Sequence, residues 1–185
     1  MSGKIFGAAL LAFALAVSSA HAQRRAQSGG QEEYYDKLGD LNVWTTDDVL
    51  RRKFGYFPEY LKMRFGSHDG YDRVVFQVDG DLIGYYITYG KPPFQGEASE
   101  RSVKVRGKAF VEIALYPVIS SDANIEANER YAIRQSRTRM PLIRDVKQVE
   151  WFEGEIRYVF GLNRRRPFRV QVFSNPTRLV VDFKH

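Results

Sequence analysis

Apolar and polar residues alternate along the last part of the chain, the period that gives a strand one buried and one solvated face. Ile156, Tyr158, Phe160 and Leu162 share one parity; Phe168, Val170 and Val172 repeat it, and Leu179, Val181 and Phe183 repeat it again. The opposite parity carries Arg157, Arg169, Gln171, Arg178 and Asp182. Between the runs lie 163–167 and 174–177, where Pro167 and Pro176 fix φ and hold the preceding residue extended. The pattern predicts a three-stranded antiparallel meander across 154–183, apolar inside and crowded with arginine outside.

Earlier segments alternate in the same way. Leu61, Met63 and Phe65 oppose Lys62 and Arg64 in a strand expected over 60–65. A second is expected over 73–78, after a turn at 66–72 in which Asp69-Gly70 supplies the tight reversal. Further strands are expected at 83–89, 103–105 (a short edge), 110–116 and 146–152, with a Pro/Gly/Glu loop over 91–102. The polar connection 117–144 is long for a compact domain and holds a helical turn around 124–132. Seven or more short strands with turns between them indicate a mainly β fold, an antiparallel β-sandwich or a small barrel.

The segment 34–59 differs in character. It is rich in aromatics (Tyr34, Tyr35, Trp44, Phe54, Tyr56 and Phe57), with Tyr60 following directly. Within it, 45–54 (TTDDVLRRKF) has Thr45 or Thr46 as a cap, acids in the first turn and bases in the last. That charge order predicts a short helix in an N-terminal extension. Burial of large aromatics favours a lid packed on the domain over an exposed platform for sugar stacking.

Composition adds an address. Lys4 precedes an apolar run of thirteen residues, and Ala20-His21-Ala22 offers a small-x-small cleavage site. This predicts a secretory signal over 1–22, too short for a membrane span, and a flexible polar leader over 23–33. The exported product is expected in the periplasm or the extracellular space. The chain has no cysteine, so a hydrophobic core and not disulfides must hold it. Basic residues number 28 against 22 acidic ones; without Lys4 the balance is +5. Export argues against nucleic acid as the natural partner and leaves anionic wall polymers, peptidoglycan stem carboxylates or acidic lipid headgroups as counterparts.

Catalytic chemistry is poorly represented. Past the signal only His68 and His185 occur, too few for a catalytic zinc site, and His185 is expected to fray. His68 alone would have to serve as base for a serine triad, and a solvated turn histidine is the commoner arrangement. Glu150, Glu153 and Glu155 could in principle form a glycosidase pair, but beside Gly154 they fit a β-turn with solvated charges. No phosphate-cradling glycine loop occurs. The expectation is a non-enzymatic protein without metal or cofactor.

Arginine is the remaining signal. Arg164, Arg165 and Arg166 stand together in a predicted loop, flanked by Arg157, Arg169 and Arg178 on strands, with Asp182 nearby. Guanidinium groups match carboxylates and phosphates bidentately, though the strand residues could equally pair across the sheet. His68 and Tyr71, on either side of the Asp-Gly turn, complete the candidate ligand-binding set.

Three blocks carry a family resemblance: HDGYDRVVFQVDG (68–80), EWFEGEIRYVFGLNRRRPFRV (150–170) and NPTRLVVDF (175–183). They resemble the AMIN-like domain family, relatives of the module that targets cell-wall amidases, over about residue 60 to 185. The resemblance implies a β-sandwich that binds envelope glycan, peptidoglycan above all, without catalysis of its own. The extension 34–59 is a departure from the family, and a chain without an attached amidase is expected to be another. Two other readings stay open: a lipid or pigment carrier with a cavity under the aromatic segment, and a module recruiting an envelope protein through an apolar edge at 103–105.

Overall fold

Alternation becomes strand almost everywhere it was expected, but the strands divide between two sheets. The computed structural model describes residues 42–51, 57–81, 84–98, 102–135 and 140–185. The expected signal and leader, together with Tyr34, Tyr35, Phe54 and Tyr56, lie outside these residues. The strands are β1 (Val49–Arg51), β2 (Glu59–His68), β3 (Tyr71–Asp79), β4 (Gly84–Gly90), β5 (Phe94–Gln95), β6 (Ser102–Val103), β7 (Ala109–Tyr116), β8 (Ile143–Phe152), β9 (Glu155–Leu162), β10 (Phe168–Phe173) and β11 (Thr177–Lys184). One helix, α1 (Asp122–Gln135), separates β7 from β8.

A five-stranded antiparallel sheet runs β1-β4-β7-β9-β8 and a four-stranded one runs β10-β11-β3-β2. Their inner faces share one core, in which Tyr60, Phe76, Tyr158, Phe160, Phe168 and Phe183 are fully buried. Phe76 meets Tyr158 and Phe160 across the layers, with ring centroids 5.9 and 6.3 Å apart. Each such ring taken out of water contributes roughly 1.5–3 kcal/mol. The hydroxyls of Tyr60 and Tyr158 meet inside the core at 3.4 Å, and burial pushes both phenols well above their ordinary range.

The expected C-terminal meander is corrected here. β10 and β11 do form a hairpin, but β9 belongs to the other sheet, and 163–167 is a corner between layers. The apolar parity of β9 and β10 faces the same core from opposite sides, which alternation alone cannot distinguish from neighbours in one sheet. Arg157 and Arg169 therefore look outward from different faces of the molecule.

The hairpins are built from residues that tolerate positive φ. Gly70 (φ 82°) closes β2–β3, and Glu153 (φ 45°) with Gly154 (φ 80°) closes β8–β9. The pair of positive φ values is what a two-residue type I′ turn needs. Contrary to expectation, Glu150 is buried behind this turn and not solvated.

The helix is longer than the turn expected over 124–132. Ser121 caps it, its Oγ accepting from the Asn124 N–H at 3.2 Å, and Asp122 and Arg134 match the dipole at either end. α1 lies against β2 and β8. Its side chains bond to the β2 backbone: Asn128 Oδ1 accepts from the Met63 N–H at 2.8 Å, Tyr131 Oη from the Phe65 N–H at 3.3 Å, and Asn124 Nδ2 donates to the Tyr60 carbonyl at 2.5 Å.

The helix expected over 45–54 is a second correction. Among its described residues, Thr45 forms a bridge with Phe168, and Val49–Arg51 adds a strand beside β4. Val49 is buried opposite Ile87. A charge order worth some tenths of a kcal/mol per residue loses to sheet pairing and burial of this kind.

A cationic and aromatic sheet face as candidate functional site

The outward parity of the four-stranded sheet sorts into cross-strand rows. Lys184, Tyr71 and His68 form one; Arg169, Asp182, Arg73 and Gly66 the next. Gln171, Val180, Val75 and Arg64 follow, and then Phe173, Arg178, Gln77 and Lys62. These rows hold six cations and one carboxylate.

That carboxylate is fully buried. Arg73 grips Asp182 bidentately, Nε to Oδ1 at 2.6 Å and a second N–H to Oδ2 at 2.9 Å, while Arg169 Nε donates to Oδ2 at 2.8 Å. The hydrogen bond to Asp182 pushes the Arg73 guanidinium above its ordinary value, against the opposing effect of burial. Asp182 thus lies beneath its arginines, out of reach from the surface. It orients both guanidinium groups and leaves each with N–H donors to spare.

Aromatic rings interleave with these cations. Tyr71 has Arg73 at 5.1 Å and Arg169 at 5.2 Å from its centroid and stacks on exposed His68 at 4.9 Å. Trp44, half-buried, covers Arg169 at 4.7 Å, has the Lys184 ammonium at 5.7 Å and sits 6.5 Å from Tyr71. It is held there because Thr45 exchanges two backbone hydrogen bonds with Phe168, both 2.8 Å. Arg178, further along, lies 5.3 Å from the Phe173 ring. Planar π faces beside charged donors can take a sugar ring and an acidic group together.

The arginine loop is mostly committed to holding the corner. Arg165 lies 4.0 Å over the Tyr89 ring and donates to the Thr46 carbonyl at 3.2 Å. Arg166 donates to the His185 carbonyl, and its backbone exchanges hydrogen bonds with the Tyr89 hydroxyl. Arg164 is exposed and has no such contact among the described residues.

Arg157 stands apart, on the outer face of the five-stranded sheet. There it meets Glu112 at 3.5 Å, Glu150 at 3.7 Å and Glu155 at 3.5 Å and donates to the Gln95 carbonyl. The strap carrying β5 and β6 lies over this face: Phe94 packs on Val149 and Val159, joined by Val103, Val105 and Phe110. Glu150 accepts from the Glu97 N–H in the strap. Gly161 is required beneath it, because a Cβ there would collide with the Arg106 carbonyl.

His185 does not fray. Its Nε2 lies 2.9 Å from Asp72 Oδ1 and its N–H donates to the Gly70 carbonyl at 2.9 Å. Buried Asp72 also accepts from the Leu142 and Ile143 N–H groups and from Ser67 Oγ. With the carboxylate between serine and histidine, the hydroxyl is bonded to an acid and not to a base, which is the wrong order for a nucleophile.

Of the residues singled out beforehand, the fold gathers His68, Tyr71, Arg169, Arg178 and Asp182 on one face. It adds Arg73 and Lys184, which had not been singled out, and Trp44, weighed until then only as part of the aromatic segment 34–59. Arg73 and Lys184 were accessible from strand parity; the position of Trp44 depends on a bridge that no local pattern announces. Compared with known families, the AMIN-like domain model matches residues 58–185. No curated protein matches the chain.

Proposed function

The chain belongs to the AMIN-like domain family, and from that premise we propose that it is an exported, non-catalytic domain that binds a cell-envelope polymer, peptidoglycan foremost. The supporting observation is the outer face of the four-stranded sheet, where six cations stand among aromatic rings and the one carboxylate is buried beneath Arg73 and Arg169. Among the described residues no helix is long and apolar enough to cross a membrane. An apolar edge at 103–105 would have favoured a protein partner; instead Val103 and Val105 pack on the five-stranded sheet.

Binding at an open face is weak per site, and a repeating polymer compensates through many sites and rapid rebinding. Salt opposes it, since the Debye length falls from ~10 Å at 0.1 M to ~3 Å at 1 M. Purified protein mixed with intact sacculi should pellet at low salt and be released as salt rises. Arg64→Gln combined with Arg178→Gln should reduce pelleting severalfold, and Arg164→Ala should reduce it less. Complete recovery in the supernatant at low salt overturns the proposal.

A further inference from the structure

Trp44 lies outside the family-matched residues 58–185, yet it sits on the face those residues form. Its placement is fixed at several points. Thr45 is bonded in both directions to Phe168, the Thr46 carbonyl accepts from Arg165, and Val49–Arg51 continues as a strand of the five-stranded sheet. Such anchoring lowers the ordering cost of any ligand contact the indole makes.

We infer that the segment 42–51 completes the binding face, and that Trp44, Arg169 and Lys184 form a subsite for a sugar ring bearing a carboxylate. The inference rests on the envelope-polymer reading and names the group recognised. The C–H face of a pyranose complements the electron-rich indole, as cations do. Among the described residues, the two cations within 6 Å of that ring are a guanidinium and an ammonium, which favour an acidic substituent on the same sugar. Asp182 engages only the Nε of Arg169, so the other N–H groups of that guanidinium can donate to a second carboxylate. A phosphate polymer would use the cations but would have no need of the ring.

The test uses full-length protein carrying Trp151→Phe, so that Trp44 is the only indole. Three probes are titrated: a tetrasaccharide of alternating N-acetylglucosamine and N-acetylmuramic acid with free carboxylates, neutral chitotetraose, and poly(glycerol phosphate). The acidic tetrasaccharide should change Trp44 emission saturably and bind at least tenfold more tightly than either other probe. Lys184→Gln, at an exposed position, should abolish that preference without moving the unfolding midpoint. Equal binding of the acidic and neutral sugars, or tighter binding of poly(glycerol phosphate), overturns the inference. So does unchanged Trp44 emission with every probe, and if the protein still pellets with sacculi the envelope reading stands without the subsite. If even the unsubstituted protein fails to pellet, the envelope reading falls as well.

Discussion

The outer faces of the two sheets are made from similar residues that are partnered in opposite ways. On the five-stranded sheet one arginine, Arg157, meets three glutamates, and a strap of chain bonds to Arg157 and to Glu150, the most buried of the three. On the four-stranded sheet two arginines meet one aspartate, and rings lie beside them in place of a strap. Excess acid under a cover is spent internally; excess base on an open face is available to a ligand. Counting arginines does not separate the two cases, whereas the stoichiometry of their partners does.

The largest expected effect comes from removing the centre of the open face. Asp182→Ala leaves Arg73 and Arg169 without their shared buried partner and should cost roughly 3–5 kcal/mol in urea unfolding. It should also disturb Trp44 emission, because the guanidinium beneath the indole loses its anchor. A loss below 1 kcal/mol would mean that the ion pairs do not organise that face.

Gly161→Ala addresses the covered face. The added methyl meets the Arg106 carbonyl, so the strap must shift, at a cost of roughly 1–3 kcal/mol. Amide exchange should accelerate in 94–106 while pelleting with sacculi stays unchanged. Weakened pelleting would show that the covered face also takes part in binding.

The smallest effect is a pH dependence. Burial pushes the Glu112 carboxyl above its ordinary range, only partly opposed by the charge of Arg157. The unfolded chain then gives up this proton at lower pH than the folded one, so this group's contribution to stability declines as pH rises from below 4.5 through the raised folded value. Glu112→Gln should flatten that part of the stability profile and leave the protein slightly more stable at pH 7. A profile unaltered by the substitution would mean that Arg157 already compensates the burial.

Strands were legible in the sequence because alternation is local, and the cationic parity of β10 and β11 could be read in the same way. Sheet membership could not: Phe160 and Phe168 look alike as inward residues whether their strands are neighbours or face one another. Two bulges in β8, at 143–145 and 148–150, break the parity that would have marked its outward residues. The helix was read as a single turn because its buried positions are only Ile125, Asn128 and Ala132, one of them polar. The segment 45–51 misled because charge order is a weak preference, and its actual partners, Phe168 and the strand beginning at Gly84, are distant in sequence.

The amide and phenol groups that α1 lays along β2 have a consequence for crowding. A ten-residue border strand with unsatisfied main-chain donors would recruit any extended segment that drifted past, including its own copy on an adjacent molecule. Asn124, Asn128 and Tyr131 take up the Tyr60 and Leu61 carbonyls and the Met63 and Phe65 N–H groups from within the chain. That stretch of the border is thereby closed to a passing strand, whatever the local concentration of the protein.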